Sequence, residues 1–262
     1  MKLASQENLI PGNTLPEKLS KMEAYGFEGI EFWGGGLRDR VEEIKEALAS
    51  STVKPSTICA GYEGCLLDTD PAERRRAMED IRELLRVGGD LGVVGLITVP
   101  IFGKARIPNL LPYASEVELE KKVLVLELKD LGSYAEDVGC EILLEPLNRY
   151  ETHFLRTLND ALEIQREVGL ESVKIMADFF HMSIEEEDIP RSIKDAGEAV
   201  HHIHLADSTR LLPGHGHTDF KSGFAALKEI GYKNYMALEC GVPGDPEIQI
   251  PKSVQYLKSC ME

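Results

Sequence analysis

Residues 140–145 read Cys-Glu-Ile-Leu-Leu-Glu, a short apolar run that closes on a carboxylate. The same form recurs downstream: residues 173–178 read Val-Lys-Ile-Met-Ala-Asp, residues 200–205 Val-His-His-Ile-His-Leu, and residues 235–239 Tyr-Met-Ala-Leu-Glu. Each has the length and composition of a buried strand. Each carries one residue able to ligate a metal at or next to its end: Glu145, Asp178, His204 and Glu239. Successive members of this set lie about 30 residues apart, the length of one strand-plus-helix unit. Parallel strands laid side by side would bring all four groups to one rim, where they could hold a divalent ion.

Alternation along a strand sharpens this expectation, because every second residue shares a face. With the aliphatic Ile142, Leu144, Ile203, Leu205, Met236 and Leu238 turned towards covering helices, Glu145, His204 and Glu239 turn inward. An inward carboxylate among aliphatic side chains is costly unless it is paired or binds a cation. Three carboxylates and one imidazole suit Mn²⁺, Co²⁺, Mg²⁺ or Zn²⁺ and do not distinguish among them.

The rest of the chain repeats the unit. Strands are expected at Lys2–Ser5, Gly29–Trp33, Ser56–Ala60 and Gly95–Val99. Helices are expected over Thr14–Tyr25, Asp39–Ala49, Arg74–Leu91, Ser115–Val138, Leu158–Val168, Ile189–Ala196 and Phe220–Ile230. Ser115 followed three residues later by Glu118 is a capping box, and Asp70-Pro71 opens the helix that follows it. About eight such units in 262 residues, with no linker or low-complexity tract, predict a single (β/α)8 barrel, a TIM barrel, over residues 1–262. No Gly-x-Gly-x-x-Gly fingerprint supports an open nucleotide-binding sheet, and Gly34-Gly35-Gly36 reads as a flexible loop at the barrel mouth. The irregular stretch Pro100–Tyr113 reads either as a lid over the site or as an ordinary surface excursion.

Composition limits the partners. The formal charge of -16 repels phosphate backbones, so nucleic acid is not an expected substrate. No apolar run is long enough to cross a membrane, and residues 1–16 lack the pattern of a secretory signal. Five scattered cysteines without a Cys-x-x-Cys read as reduced, and the expected compartment is the cytosol.

The residues after the four strand ends are unusually polar. Glu145 heads Glu-Pro-Leu-Asn-Arg-Tyr-Glu, ending at Glu151; Asp178 heads Asp-Phe-Phe-His, ending at His181; His204 heads a run ending at Arg210. These spacings closely resemble the xylose-isomerase-like family of sugar isomerases and epimerases, and within it the ketose 3-epimerase branch. The resemblance spans most of the chain and is specific from Glu145 to Glu239. It implies that Glu145, Asp178, His204 and Glu239 hold one divalent metal ion. It also implies that Glu145 and Glu239 transfer the proton and that Glu151, His181 and Arg210 contact the substrate's carbonyl-end oxygens. Asn148 and Arg149 match the motif without a role, and His202 is expected one layer below His204, supporting it.

The chemistry agrees. A proton α to a sugar carbonyl is too weakly acidic for an unaided carboxylate, whereas a divalent ion on the carbonyl and a neighbouring hydroxyl stabilises the enediolate. Two carboxylates on opposite faces then serve as base and acid. Return of the proton to the same carbon gives epimerisation, and return to the neighbouring carbon gives isomerisation. His181 and Arg210 either neutralise the enediolate oxygens or make structural hydrogen bonds.

The reading is therefore a metal-dependent sugar isomerase or epimerase, in its sharpest form a ketose 3-epimerase. Inosose dehydration and hydroxypyruvate isomerisation are the alternatives on the same site. Apurinic endonuclease, a different class on such a barrel, needs several zinc ions, many histidines and a basic surface, against seven histidines and a strongly acidic chain here. The partner is a small sugar, with a homodimer or homotetramer implied by the resemblance. Lys104, Arg106 and Arg149 leave a phosphorylated sugar open. Trp33 reads as a flat wall for a sugar or as a core or interface residue, Glu63 as a candidate mouth residue, and His215 and His217 as loop residues.

Overall fold

Strand and helix alternate through the whole chain, and the computed structural model describes all 262 residues. In order these are β1 (Lys2–Gln6), α1 (Leu15–Tyr25), β2 (Gly29–Trp33), α2 (Val41–Ala49), β3 (Lys54–Cys59), α3 (Pro71–Leu91), β4 (Gly95–Thr98), α4 (Glu116–Val138), β5 (Glu141–Leu144) and α5 (Leu158–Val168). Then follow β6 (Val173–Asp178), α6 (Phe179–Glu185), α7 (Ile189–Ala196), β7 (Val200–Leu205), α8 (Phe220–Glu229), β8 (Tyr235–Leu238) and α9 (Pro246–Met261). Each strand pairs in parallel with its sequence neighbours, and β8 pairs with β1, closing an eight-stranded barrel.

Local chemistry sets the boundaries. Thr14, Asp70 and Asp245 each cap a helix with Pro in its first turn. At Ser115 the capping box is complete: the Glu118 N–H donates to Ser115 Oγ at 3.2 Å, and the Ser115 N–H donates to Glu118 Oε2 at 2.8 Å. Gly26, Gly92, Gly139 and Gly169 end their helices in the left-handed conformation. Two helices were not anticipated. Asp178 terminates β6 and at once caps the short α6, so Asp-Phe-Phe-His is a strand end and a helical turn rather than a loop. In α9, Ile250, Val254 and Leu257 repeat at helical spacing and are buried. The third strand starts two residues earlier than expected, at Lys54, where Lys54 and Pro55 pair with Gly29 and Ile30 before the β2–β3 ladder shifts register.

The expected facing of side chains holds. Ile142, Leu144, Ile203, Leu205, Met236 and Leu238 belong to a 59-residue apolar shell between barrel and helices. The barrel interior holds only small apolar groups: Ala4, Tyr235 and Ala237 at the strand starts, and Cys59, Ile97, Leu143 and Met176 further along. Buried polar residues fill the rest: Glu31, Thr57, His202 and His204.

Candidate metal and catalytic site

Because β5 to β8 are parallel, their C-terminal ends meet on one face, as the sequence pattern requires. Glu145 and Glu239 follow β5 and β8 directly, Asp178 ends β6, and His204 is the penultimate residue of β7. One ligand atom from each lies within 4.8 Å of every other. His204 Nδ1 stands 3.1 Å from Glu239 Oε2 and 3.8 Å from Glu145 Oε1. It is buried and finds no hydrogen bond of acceptable alignment. An orphaned ring nitrogen facing three carboxylates is a donor set that fits a divalent cation.

The other side of the His204 ring is occupied. Nε2 lies 3.0 and 3.1 Å from the two oxygens of Glu31, a fully buried residue of β2. The Glu31 carboxylate also accepts from Gln6 Nε2 at 3.0 Å and Thr57 Oγ1 at 2.6 Å, and lies 2.9 Å from His202 Nε2. A proton on Nε2 held by Glu31 leaves Nδ1 free to ligate, the usual arrangement of a carboxylate behind a metal-binding histidine. His202 thus supports His204 through Glu31 rather than by touching it, their ring centroids being 5.2 Å apart. Sequence reasoning missed Glu31, Gln6 and Thr57. Parity alone would have flagged Glu31, an acid between the aliphatic Ile30 and the aromatic Phe32.

Charge separates the two flanking carboxylates. Burial, reinforced by Glu239, pushes the Glu145 carboxyl well above the usual range. Burial also acts on Glu239, but His204 and Arg210 outweigh it and bring that carboxyl down to about 2.

Arg210 bridges Asp178 and Glu239 and stacks on Phe180, its guanidinium carbon 4.6 Å from the ring centroid. Its backbone is left-handed, with φ 59°, and is held there by bonds to Asp207 O and from the Gly241 N–H, each 2.8 Å. Asp207 anchors this loop: its carboxylate accepts the backbone N–H groups of Ser208, Gly214 and Thr218 at 2.8, 2.8 and 3.0 Å. His181 is buried against the site. The Asn148 N–H donates to its Nδ1 at 3.1 Å, which puts the ring proton on Nε2, 3.5 Å from Asp178 Oδ2. Burial lowers its affinity for a second proton. Glu151 is half exposed and accepts from Asn148 Nδ2 at 2.8 Å.

Glu145, Glu151, His181, Arg210 and Glu239 all line one cavity of about 380 Å³ at the barrel mouth. Pro100, Ile101, Phe102 and Arg106 form part of its wall, clipped to the Glu151 loop by bonds from the Gly103 N–H to Glu151 O and from Thr152 Oγ1 to Ile101 O. Other expected mouth residues are elsewhere. Glu63 points away and pairs with Arg76, Arg149 pairs with Glu185, and Lys104, His215 and His217 are exposed and do not line the cavity. Of the three cations considered for a phosphate only Arg106 reaches the wall, and it is paired with Asp68.

The family model described as xylose isomerase-like TIM barrel matches residues 19–260. The 3-dehydro-D-guloside 4-epimerase of Escherichia coli (strain K12) is 30% identical over 263 residues, covering 99% of this chain and 100% of that protein. The ketose 3-epimerase of Arthrobacter globiformis is 39% identical over 226 residues, covering 84% of this chain and 75% of that one. The crystal structure of apo 3-keto-D-glucoside 4-epimerase from E. coli superposes with a TM-score of 0.91 at 30% identity, over 99% of this chain and 100% of that chain. No helix is long and apolar enough to cross a membrane. The chain belongs to the xylose isomerase-like TIM-barrel family, and within it to the sugar epimerases, enzymes of the isomerase class.

Proposed function

We propose that this enzyme inverts a sugar carbon bonded to a ketone, with Glu145 and Glu239 as the proton-transfer pair. Glu145, Asp178, His204 and Glu239 would hold one divalent cation, with His204 ligating through Nδ1. Bound there, the cation would supply Lewis-acid polarisation of the ketone and its neighbouring hydroxyl. The other residues have separate tasks. Glu31 fixes the His204 ring. One of Glu145 and Glu239 takes the proton and the other returns one to the opposite face, the roles exchanging in the reverse direction. The Nε2–H of His181 and the Arg210 guanidinium face the oxygens on which charge develops, and Glu151 accepts from a substrate hydroxyl.

The carrying observation is that two carboxylates, Glu145 and Glu239, line one cavity and share a potential metal-binding cluster with Asp178 and the orphaned imidazole nitrogen of His204. Epimerisation is favoured over dehydration or isomerisation because the relatives at 30% identity or more are named as epimerases. In a ketose the inverted carbon is C3 and in a 3-keto-glycoside it is C4; both adjoin the ketone and need the same machinery. A homodimer or homotetramer remains part of the reading, checked by light scattering.

The test is deuterium wash-in from heavy water with Mn²⁺, Co²⁺, Mg²⁺ or Zn²⁺, over a panel of ketoses and 3-keto-glycosides. Label is expected only at the carbon beside the ketone, and Glu145→Gln and Glu239→Gln are expected to abolish it. Wash-in retained by either variant removes that residue from proton transfer. Absence of wash-in with every keto sugar and every metal overturns the epimerase reading.

A further inference from the structure

The barrel closes where β8, β1 and β2 lie side by side, and β1 ends on Gln6, one residue beyond the strand expected from sequence. Leu3 belongs to the outer apolar shell and Ala4 to the interior, so alternation turns Gln6 inward. Register sets its neighbours. Gln6 pairs with Glu31 on β2, and Ser5 pairs with Leu238, the residue before Glu239. The Gln6 amide therefore stands between two carboxylates. Its Nε2 donates to Glu31 Oε1 at 3.0 Å and to Glu239 Oε1 at 3.2 Å, which uses both of its N–H groups.

The two carboxylates need these bonds unequally. Glu31 also has Thr57, His202 and His204 as partners. Glu239 divides its oxygens. Oε2 faces His204 Nδ1 and the Arg210 guanidinium, whereas Oε1 has, besides Gln6, only the Cys59 thiol at 3.7 Å, a weak donor. Neighbouring cations do not replace the amide, because Arg40 and Lys18, in the polar pocket that Gln6 borders, both bind Glu7. Trp33 borders both that pocket and the cavity, and a close-packed turn holds it there. A Cβ on Gly35 would lie 2.6 Å from Trp33 Nε1, and one on Gly34 would lie 1.9 Å from Ala60 O, so Gly34-Gly35-Gly36 is not the flexible loop expected from sequence.

We propose that Gln6 is a positioning residue for proton transfer, its amide fixing the plane of the Glu239 carboxylate against Glu31. This rests on the epimerase reading above and deepens it. The last torsion of a glutamate is soft, so a carboxylate anchored through one oxygen still swings about it. A second anchor on Oε1 keeps Oε2 among the metal ligands and presents the group to the substrate in one orientation. A neutral amide does this without cancelling the charge of the base, as a lysine or arginine at the same place would.

The test uses full-length, Mn²⁺-loaded Gln6→Leu, with Gln6→Met, of the same length and unbranched, as a second variant. Of the two epimers, one gives its proton to Glu239 and the other to Glu145. With Glu239 misoriented, kcat/KM is expected to fall about 10–100-fold, equally for both epimers because their equilibrium is fixed. The primary isotope effects, measured with each epimer deuterated at the inverted carbon, are expected to move apart. Proton removal limits the epimer that faces Glu239, which keeps its isotope effect high. Proton return limits the other, whose isotope effect falls. Isotope effects that stay as in the parent or change alike overturn the proposal. So does a tenfold loss of Mn²⁺ affinity with the two isotope effects moving together, which would place the whole effect on Glu31. A readout without turnover comes from crystals of Gln6→Leu with and without Mn²⁺. Glu239 is expected to rotate about its last torsion or to occupy two conformers, and a Glu239 unmoved in both crystals overturns the clamp. A parent enzyme that turns over no keto sugar sinks the epimerase reading, and the crystals then decide the clamp on their own.

Discussion

Replacing Glu31 with Gln tests whether metal affinity depends on a residue that does not touch the metal. The carboxylate is buried at the centre of contacts from Gln6, Thr57, His202 and His204. Burial alone would raise its proton affinity, yet His204 and His202 hold it well below the usual range, so it is ionised. Glu31→Gln keeps the shape, removes the charge and aims an N–H₂ at a pocket that already contains donors. The Nε2–H of His204 would then keep at most a neutral amide oxygen, which weakens Nδ1 as a ligand and loosens the ring. Loss of such an outer partner typically lowers metal affinity about 10–100-fold, or about 1.4–2.7 kcal/mol. Mn²⁺ binding, measured by electron paramagnetic resonance of the free ion and by competition with a chromophoric chelator, should show that loss. The metal-induced rise in melting temperature should shrink with it. Mn²⁺ affinity within about twofold of the parent would refute the role given to Glu31, because second-sphere effects of that kind begin near tenfold.

Other expectations are separable from the metal. Burial, only partly offset by Arg74, pushes the Glu127 carboxyl up to about 7. Its proton is held more tightly folded than unfolded, so its contribution to stability is present at low pH and lost as pH rises from about 4.5 through about 7. Glu127→Gln should therefore raise the melting temperature at pH 8 more than at pH 5; equal shifts at both would contradict the assignment. Ser115→Ala removes half of the capping box on α4 and should cost about 1 kcal/mol in urea denaturation, with no loss at all as the contrary result. Asp207→Asn keeps one acceptor oxygen where two serve three N–H groups, so limited proteolysis should cut within residues 208–217 faster than in the parent. Unchanged resistance would show that the loop does not depend on this carboxylate.

Much of the architecture was legible because parallel strands buried on both faces are written as short apolar runs, and because helix starts carry explicit caps. Strand parity alone places Glu145, His204 and Glu239 inward, and the structure brings them together with Asp178 within 4.8 Å. What escaped notice was information carried by partners rather than by pattern. Parity turns Glu31 inward, but its partner His204, 173 residues away, is visible only once β2 and β7 share a barrel. Helix α6 was hidden because Asp178 serves two elements at once. The glycine turn after Trp33 looked loose because composition does not reveal close approach of a second loop.

The apolar shell that holds the barrel to its helices comprises 59 residues, while the two apolar clusters inside the barrel have four and three. Cohesion and chemistry thus reside in nearly disjoint sets of atoms. Diversification at the inner lining and the rim can proceed with little toll on folding, so a library randomised there should yield mostly soluble, well-folded proteins with altered substrate preference. The same diversity applied to the shell should yield mostly aggregates.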